Sequence, residues 1–194
     1  MSPGVSFVEL TIQTVFATVL LGLVLTATVT DIRSRRIPNF LTLGGALFGI
    51  VFQITFNGLD GLLAALGGWA VGFAFMIPGY ALRQTGAGDV KLMAAVGTFL
   101  GPASTVIAAA SGIFIGAVVA LFIAFVGRGV SPWRRYGGML SCLLVTGKAV
   151  YVAPQAGELM AKKFPYAFAI AAGTLVALWR SSLPGLVAAW SQYG

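Results

Sequence analysis

The sequence has no histidine, one cysteine (Cys142) and only five acidic residues among 194. Without histidine, the chain cannot form a Ser-His or Cys-His catalytic pair, and it has no imidazole to bind a metal. A single cysteine excludes a disulfide within the chain and a cysteine-based zinc site. Carboxylates are the conventional catalytic groups that remain, so we expect neither a metal nor another cofactor.

Charge is scarce along the whole chain. Charged residues make up 9% of the sequence and hydrophobic residues 58%, with a mean hydropathy of +0.95. Soluble domains contain about 25% charged residues. Charge-free runs cover residues 10–30, 37–59, 61–82, 92–127 and 164–179, and a membrane-spanning helix needs about 20 apolar residues. The composition therefore predicts an all-α, polytopic membrane protein.

We predict six transmembrane helices in a single membrane domain covering residues 1–194. The helices are expected at residues 8–30, 39–56, 60–82, 89–100, 103–126 and 164–182. The long apolar run is divided at Gly101-Pro102, because this pair favours a turn. The first run has no basic region before it, so we interpret it as a retained helix and not as a cleaved signal peptide. Residues 127–163 are predicted to be cytoplasmic, with 136–153 interfacial or re-entrant.

The basic residues predict the orientation in the bilayer. With both termini in the periplasm, every lysine and arginine except Arg180 falls on the cytoplasmic side. This asymmetry follows the positive-inside rule and is typical of a multi-pass protein of the bacterial inner membrane. It also explains the net charge of +7 without a nucleic-acid partner. The cytoplasmic set comprises Arg33, Arg35, Arg36, Arg83, Lys91, Arg128, Arg134, Arg135, Lys148, Lys162 and Lys163.

Two of the acidic residues, Asp31 and Asp89, are expected at helix ends on the cytoplasmic side. Glu9, Asp60 and Glu158 are interpreted as solvated or interfacial residues. An ionisable residue at membrane depth is costly and is by default a functional hypothesis. The structural alternative is a pair of helix-end acids neutralised by nearby arginines. Because the predicted topology places Asp31 and Asp89 at one depth, the two side chains can meet inside the bundle.

The residues around these acids form two motifs. Asp31 is followed by Ile37-Pro38-Asn39, and Asp89 lies in Gly86-Ala87-Gly88-Asp89-Val90-Lys91. Glycines next to an acid permit unusual backbone angles and leave room for another chain to approach. Both motifs, with two predicted helices between them, resemble those of the type IV prepilin peptidases. That family belongs to the Gly-x-Gly-Asp intramembrane aspartyl proteases, and the segment at Phe164-Pro165-Tyr166 resembles its entry to the last helix.

The resemblance implies a function and a set of site residues. Asp31 and Asp89 would be the catalytic pair, removing the short basic leader of a prepilin or pseudopilin at the cytoplasmic membrane face. It also implies active-site support from Gly86, Gly88, Lys91, Pro38, Asn39 and Pro165. The larger bifunctional members carry paired Cys-x-x-Cys motifs and methylate the mature pilin. Since this sequence lacks those cysteines, it resembles the short peptidases of Flp-type (tight adherence) pilus and secretion systems, without methyltransferase activity.

Three alternatives remain open on sequence. Within the enzyme class, an archaeal preflagellin peptidase would carry the same motifs. A small ion-coupled transporter could use Asp31 and Asp89 for ions, although such folds often show internal repeats and the two halves of this chain do not match. A non-catalytic membrane subunit of a secretion assembly would explain the helices but not two positioned acids. The sequence does not determine the oligomeric state.

Overall fold

The computed structural model describes residues 7–82, 84–126, 141, 145 and 166–181. Four helices account for nearly all of these residues: α1 (Phe7–Ser34), α2 (Asn39–Ala81), α3 (Ala87–Val126) and α4 (Tyr166–Ser181). The described part of the chain contains no β-strand, which confirms the all-α prediction. The predicted loop at 127–163 lies outside the described residues, apart from the helical positions Ser141 and Val145.

The chain divides into two compact units. One comprises Met1–Ile115 with Pro165–Gly194, and the other comprises Gly116–Phe164. The first contains α1, α2, most of α3 and α4, and all contacts discussed below lie within it. The second is described as the last turns of α3 and the two isolated positions.

Three helices are long and apolar enough to cross a membrane. Their apolar spans are Thr11–Ser34, Asn39–Ala81 and Ala87–Phe122, and α4 adds a shorter apolar stretch, Tyr166–Arg180. Large hydrophobic side chains are exposed along these helices, including Phe40 and Phe114, which are 79% and 70% exposed. A soluble monomer rarely exposes apolar surface on this scale. The structure is therefore that of a membrane protein.

Helix α2 reverses direction at Gly58. Its 43 residues would extend about 65 Å as a straight helix, twice the hydrocarbon thickness. Gly58 has φ 59° and ψ −137°, a positive φ that glycine adopts without a Cβ clash. Gly49 contacts Thr98 of α3, whereas Gly72, farther along α2, contacts the earlier residue Met93. A straight helix would place Gly49 and Gly72 about 35 Å apart, yet the α3 residues that they contact, Thr98 and Met93, lie only about 8 Å apart along their helix. Helix α2 therefore turns back at Gly58 into a second segment.

Helix α3 reverses in the same way at Gly101, where φ is 70° and ψ is 173°. Near its start, Asp89 lies within electrostatic reach of Tyr166 in α4. Gly112, well beyond the break, contacts Ala169 of α4. A straight helix would place these two α3 positions about 35 Å apart, yet both lie beside the first turn of α4. The chain therefore turns back at Gly101, beside Pro102.

The first segment of α3 is the centre of the bundle. Residues 92–99 are buried without exception, as expected for a helix that is apolar on all sides. The rings of Phe16 in α1 and Phe48 in α2 lie 5.4 and 6.1 Å from that of Phe99. The buried threonine Thr98 bonds its own helix carbonyl, at Ala95, over 2.7 Å. Its hydroxyl therefore needs no partner from a neighbouring helix.

Glycines allow the second segment of α2 to approach this central segment closely. A Cβ at Gly68 would collide with the carbonyl oxygen of Gly97, and a Cβ at Gly97 would collide with the carbonyl oxygen of Gly68. Gly72 approaches the Met93 carbonyl in the same way. Such backbone-to-backbone contact is typical of helix pairs in membranes. Helices in lipid associate mainly through van der Waals packing, and small residues let their backbones come close enough for it.

At the end of the bundle near Gly101, side-chain amides cap the broken helix. Pro102 has no N–H to donate to the preceding turn. The Gln53 Nε2 donates a 3.0 Å hydrogen bond to the Phe99 carbonyl, and the Asn57 Nδ2 donates one of 2.8 Å to Gln53 Oε1. The reversal in α3 is thus stabilised from α2.

The glycine contact predicts a selective loss of stability. Replacing Gly68 with leucine must push the two backbones apart, and we expect it to destabilise the fold by about 1–3 kcal/mol or more. Gly44 has no atom within 4 Å of a built Cβ, so Gly44→Leu should have little effect or be slightly stabilising. Thermal unfolding of both variants in detergent measures the difference. Equal midpoints would contradict the close approach.

Candidate active site

Four chain segments meet at one end of the bundle: the end of α1 and the starts of α2, α3 and α4. The backbone N–H of Ala167, in the first turn of α4, donates to Asp31 Oδ2 at 3.4 Å. Ile37, just before α2, contacts Gly88 at the start of α3. This end of the bundle therefore gathers both aspartate motifs, as predicted from the topology.

Asp31 lies in the last turn of α1, not at its end. The helix continues to Ser34, whereas the charge pattern predicts an end near residue 30. A carboxylate near the C-terminus of its own helix faces the negative end of the helix dipole. The donor from Ala167 offsets this cost, because it comes from the positive end of α4, and the positive charge of Arg35 also acts on Asp31.

Asp89 occupies the first turn of α3 and is only 8% exposed. Its Oδ2 accepts a 2.8 Å hydrogen bond from the Gly86 N–H, three residues earlier. The Asp89 N–H in turn donates to the Gly86 carbonyl at 3.1 Å. This is the back-bonding half of a capping box, and the N-terminal position also suits a negative charge. Asp89 thus has a structural role in starting α3, whatever else it does.

Both carboxyl groups lie beside the same turn of α4. Asp31 accepts the Ala167 N–H, and the charge of Asp89 acts on the hydroxyl of the adjacent residue, Tyr166. Two acids that are 58 positions apart in the sequence (89 − 31) are therefore brought to the same end of the bundle. Tyr166 and the Ala167 amide were not predicted as site residues. Only the position of Tyr166 directly after Pro165 in the motif could have drawn attention to it.

The two glycines of the Asp89 motif provide space and not unusual backbone angles. Among the described glycines, only Gly58 and Gly101 have positive φ, so Gly86 and Gly88 do not use the left-handed region that glycine adopts freely. A Cβ at Gly88 would lie 3.2 Å from Ile37 Cβ, and one at Gly86 would lie 3.3 Å from Asp89 Oδ2. Their role is to let α2 and the aspartate carboxylate come close.

The other residues predicted to support the active site are Pro38, Asn39, Lys91 and Pro165, and the structure describes the first three. Pro38 is the N-cap of α2, with φ −62° and ψ 136°. Lys91 Nζ donates a 3.0 Å hydrogen bond to Asn39 Oδ1, which links the starts of α2 and α3. Pro165 lies outside the described residues.

The remaining acids do not join the site within the described part of the chain. Asp60 is exposed and lies two residues after Gly58, at the opposite end of the first α2 segment from Asn39. Glu158 and the side chain of Glu9 are outside the described residues. No group of three His, Cys, Asp or Glu residues that could hold a metal lies together among the described positions.

Comparisons with known proteins agree with this arrangement. The sequence model of the type IV leader peptidase family matches residues 18–121, a region that contains both aspartate motifs. The "Prepilin leader peptidase/N-methyltransferase" of Pectobacterium carotovorum subsp. carotovorum is 32% identical over 149 residues, covering 66% of this chain and 50% of the relative. The chain thus spans about half the length of that relative. No solved structure matches significantly. Because the family model covers more than half of the sequence, the chain belongs to the type IV leader peptidase family.

Proposed function

We propose that the chain is an intramembrane aspartyl endopeptidase that removes the short leader of type IV prepilins, with Asp31 and Asp89 as its catalytic pair. Family membership supports the reaction class. The observation that carries the residue assignment is the convergence of both carboxyl groups on the first turn of α4. Asp60, the other acid whose side chain is described, lies near the reversal at Gly58, away from that turn.

The pair would act as a general acid and a general base. Two neighbouring carboxyl groups can share one proton, as they do in the soluble aspartic proteases. The ionised carboxylate removes a proton from a water molecule, and the protonated one donates a hydrogen bond to the scissile carbonyl. The water oxygen then attacks the carbonyl carbon without a covalent enzyme intermediate. The tetrahedral species collapses as the C–N bond breaks, and the leaving amine takes up the proton that the carboxylate had removed from water. Interacting acids of this kind titrate as one unit, so the acid and base roles would belong to the pair.

The position of the pair fits the expected substrate. A prepilin has a short basic leader followed by an apolar helix, so its cleavage site lies where the helix leaves the membrane. Asp31 lies in the last turn of α1 and Asp89 in the first turn of α3, near the exposed residues Arg33, Arg36 and Lys91. We place this end of the bundle at the cytoplasmic face because basic residues favour that side.

The same reasoning supports six spans in a bacterial inner membrane. The reversals at Gly58 and Gly101 divide α2 and α3 into two segments each, which with α1 and α4 makes six. Both termini then lie in the periplasm. This topology keeps Asp31 and Asp89 on one side of the membrane.

We further assign the chain to the short, Flp-type peptidases without methyltransferase activity. Helices α1 and α2 are separated by four residues, 35–38, and the sequence has no Cys-x-x-Cys pair. The pairs of cysteines in the bifunctional enzymes therefore have no counterpart here.

The six-span topology predicts the outcome of reporter fusions. A reporter active only in the periplasm should be active when fused after Asn57, because that residue lies at the reversal opposite the aspartates. The same reporter fused at Lys148 should be silent. Activity at Lys148 would place the segment before α4 in the periplasm and separate the two acids across the membrane.

The catalytic pair predicts a specific pattern of lost cleavage. Asp31→Asn and Asp89→Asn keep side-chain size but remove the titrating group, so each should lower cleavage of a co-expressed Flp-type prepilin by roughly 10³-fold or more. The double variant should be no worse than either single one, since residues of one catalytic unit are not additive. Protein level and prepilin binding should stay near normal.

Asp60→Asn is the matched control and should retain near-normal cleavage. Substantial processing by either Asp31→Asn or Asp89→Asn would contradict the proposal. Parallel losses of cleavage and thermal stability would instead assign the acids a structural role.

A further inference from the structure

Residues 35–38 connect α1 to α2 and, together with Asn39, the first residue of α2, are called the α1–α2 connection here. The connection begins immediately after the helical turn that contains Asp31. The Arg35 N–H donates a 2.8 Å hydrogen bond to the Asp31 carbonyl. Arg35 has φ 54°, the only positive φ among the described non-glycine residues, and this conformation costs free energy in an L-residue. The chain leaves α1 here, and the connection begins with a hydrogen bond to the backbone of Asp31.

The other end of the α1–α2 connection is held against the helix that carries Asp89. Ile37 is partly buried in the core and contacts Gly88, the residue before Asp89. Two residues later, Asn39 Oδ1 accepts the 3.0 Å hydrogen bond from Lys91. These two contacts flank Asp89 on both sides in the sequence.

The side chain of Asn39 has no capping duty in α2. Pro38 is the N-cap, and no side-chain hydrogen bond closes that end of the helix. Asn39 and Lys91 are both exposed, so neither contributes to the core. The polar contact therefore links two segments and has little bearing on whether each helix forms.

Lys91 and Asp89 project from different sides of α3. Residues two apart in an α-helix project roughly 200° from each other. Accordingly, Asp89 is buried, while Lys91 is exposed and reaches Asn39. Its ammonium group holds the first turn of α3 from outside the site.

We propose that the α1–α2 connection sets the distance between Asp31 and Asp89, and that Asn39 and Lys91 are positioning residues that hold its far end to the Asp89 helix. This inference rests on the proposed function, since it matters for cleavage only if the two acids act together. A loose connection would let the two carboxyl groups drift, and a misplacement of about 1 Å can cost a 100-fold loss of rate.

Kinetics of a double-mutant cycle test this role. Asn39→Ala and Lys91→Met should each lower kcat for prepilin cleavage by about 10- to 100-fold while KM changes by less than about twofold. The double variant should match the single ones, because either change breaks the same contact. Asn39→Asp should stay within about twofold of wild type, since a carboxylate accepts a stronger, charge-assisted bond from Lys91. Losses that multiply in the double variant, a change in KM alone, or no rescue by Asn39→Asp would overturn the proposal.

Hydrogen exchange provides a readout that does not need activity. The Asp89 and Val90 amides donate to the Gly86 carbonyl at 3.1 and 3.3 Å, and both should exchange faster in Asn39→Ala and Lys91→Met. Asn57→Ala removes a similar exposed amide contact at the far end of the bundle and should change neither this exchange nor kcat.

The two proposals fail in different ways. Cleavage retained by Asp31→Asn or Asp89→Asn would contradict the proposed function, whereas unchanged amide exchange in Asn39→Ala would contradict the positioning role by itself.

Discussion

Backbone groups inside a membrane need partners within the protein, so a long apolar chain can turn only where the local backbone allows it. Here the two reversals fall at Gly58 and Gly101, the described glycines with positive φ. After each reversal, the chain runs back toward the end of the bundle that contains Asp31 and Asp89. The site depends on both: the first brings the chain back to start α3 near α1, and the second brings α3 back to the start of α4.

The reversals bring two acids to one end of an apolar bundle. Each carboxylate there accepts a hydrogen bond from a backbone N–H. Asp31 sits at the unfavourable end of its own helix but accepts an N–H from the start of α4. Asp89 accepts the Gly86 N–H at the favourable start of α3. Backbone donors stabilise these carboxylates by hydrogen bonding, and at Asp31 the positive charge of Arg35 acts beside the Ala167 N–H. The region that matches the family model contains both residues.

Much of this architecture can be predicted from the sequence, because apolar runs and glycine or proline breaks are local signals. The Gly101-Pro102 pair predicts the break in α3, and the polar residues around Gly58 predict the turn in α2. The charged residues after Thr30 predict too early an end for α1, because the helix continues through them. The contacts of Ala167, Tyr166 and Lys91 could not be predicted. They join segments that are distant in the sequence. Since every residue except proline has a backbone N–H, the sequence does not reveal which one donates to a carboxylate.

The meeting of Asp31 and Asp89 at one site is tested most directly by a metal bridge between cysteines placed at these two positions. In a Cys142→Ser background, Asp31→Cys and Asp89→Cys together should bind Cd²⁺, because one soft ion can be held by two neighbouring thiolates. Alkylation of both cysteines should then be slowed by micromolar Cd²⁺, and each single-cysteine protein should be unprotected. A pair at positions 31 and 60 is the control. Equal protection of that control pair, or none for the 31/89 pair, would contradict the convergence on which the account rests.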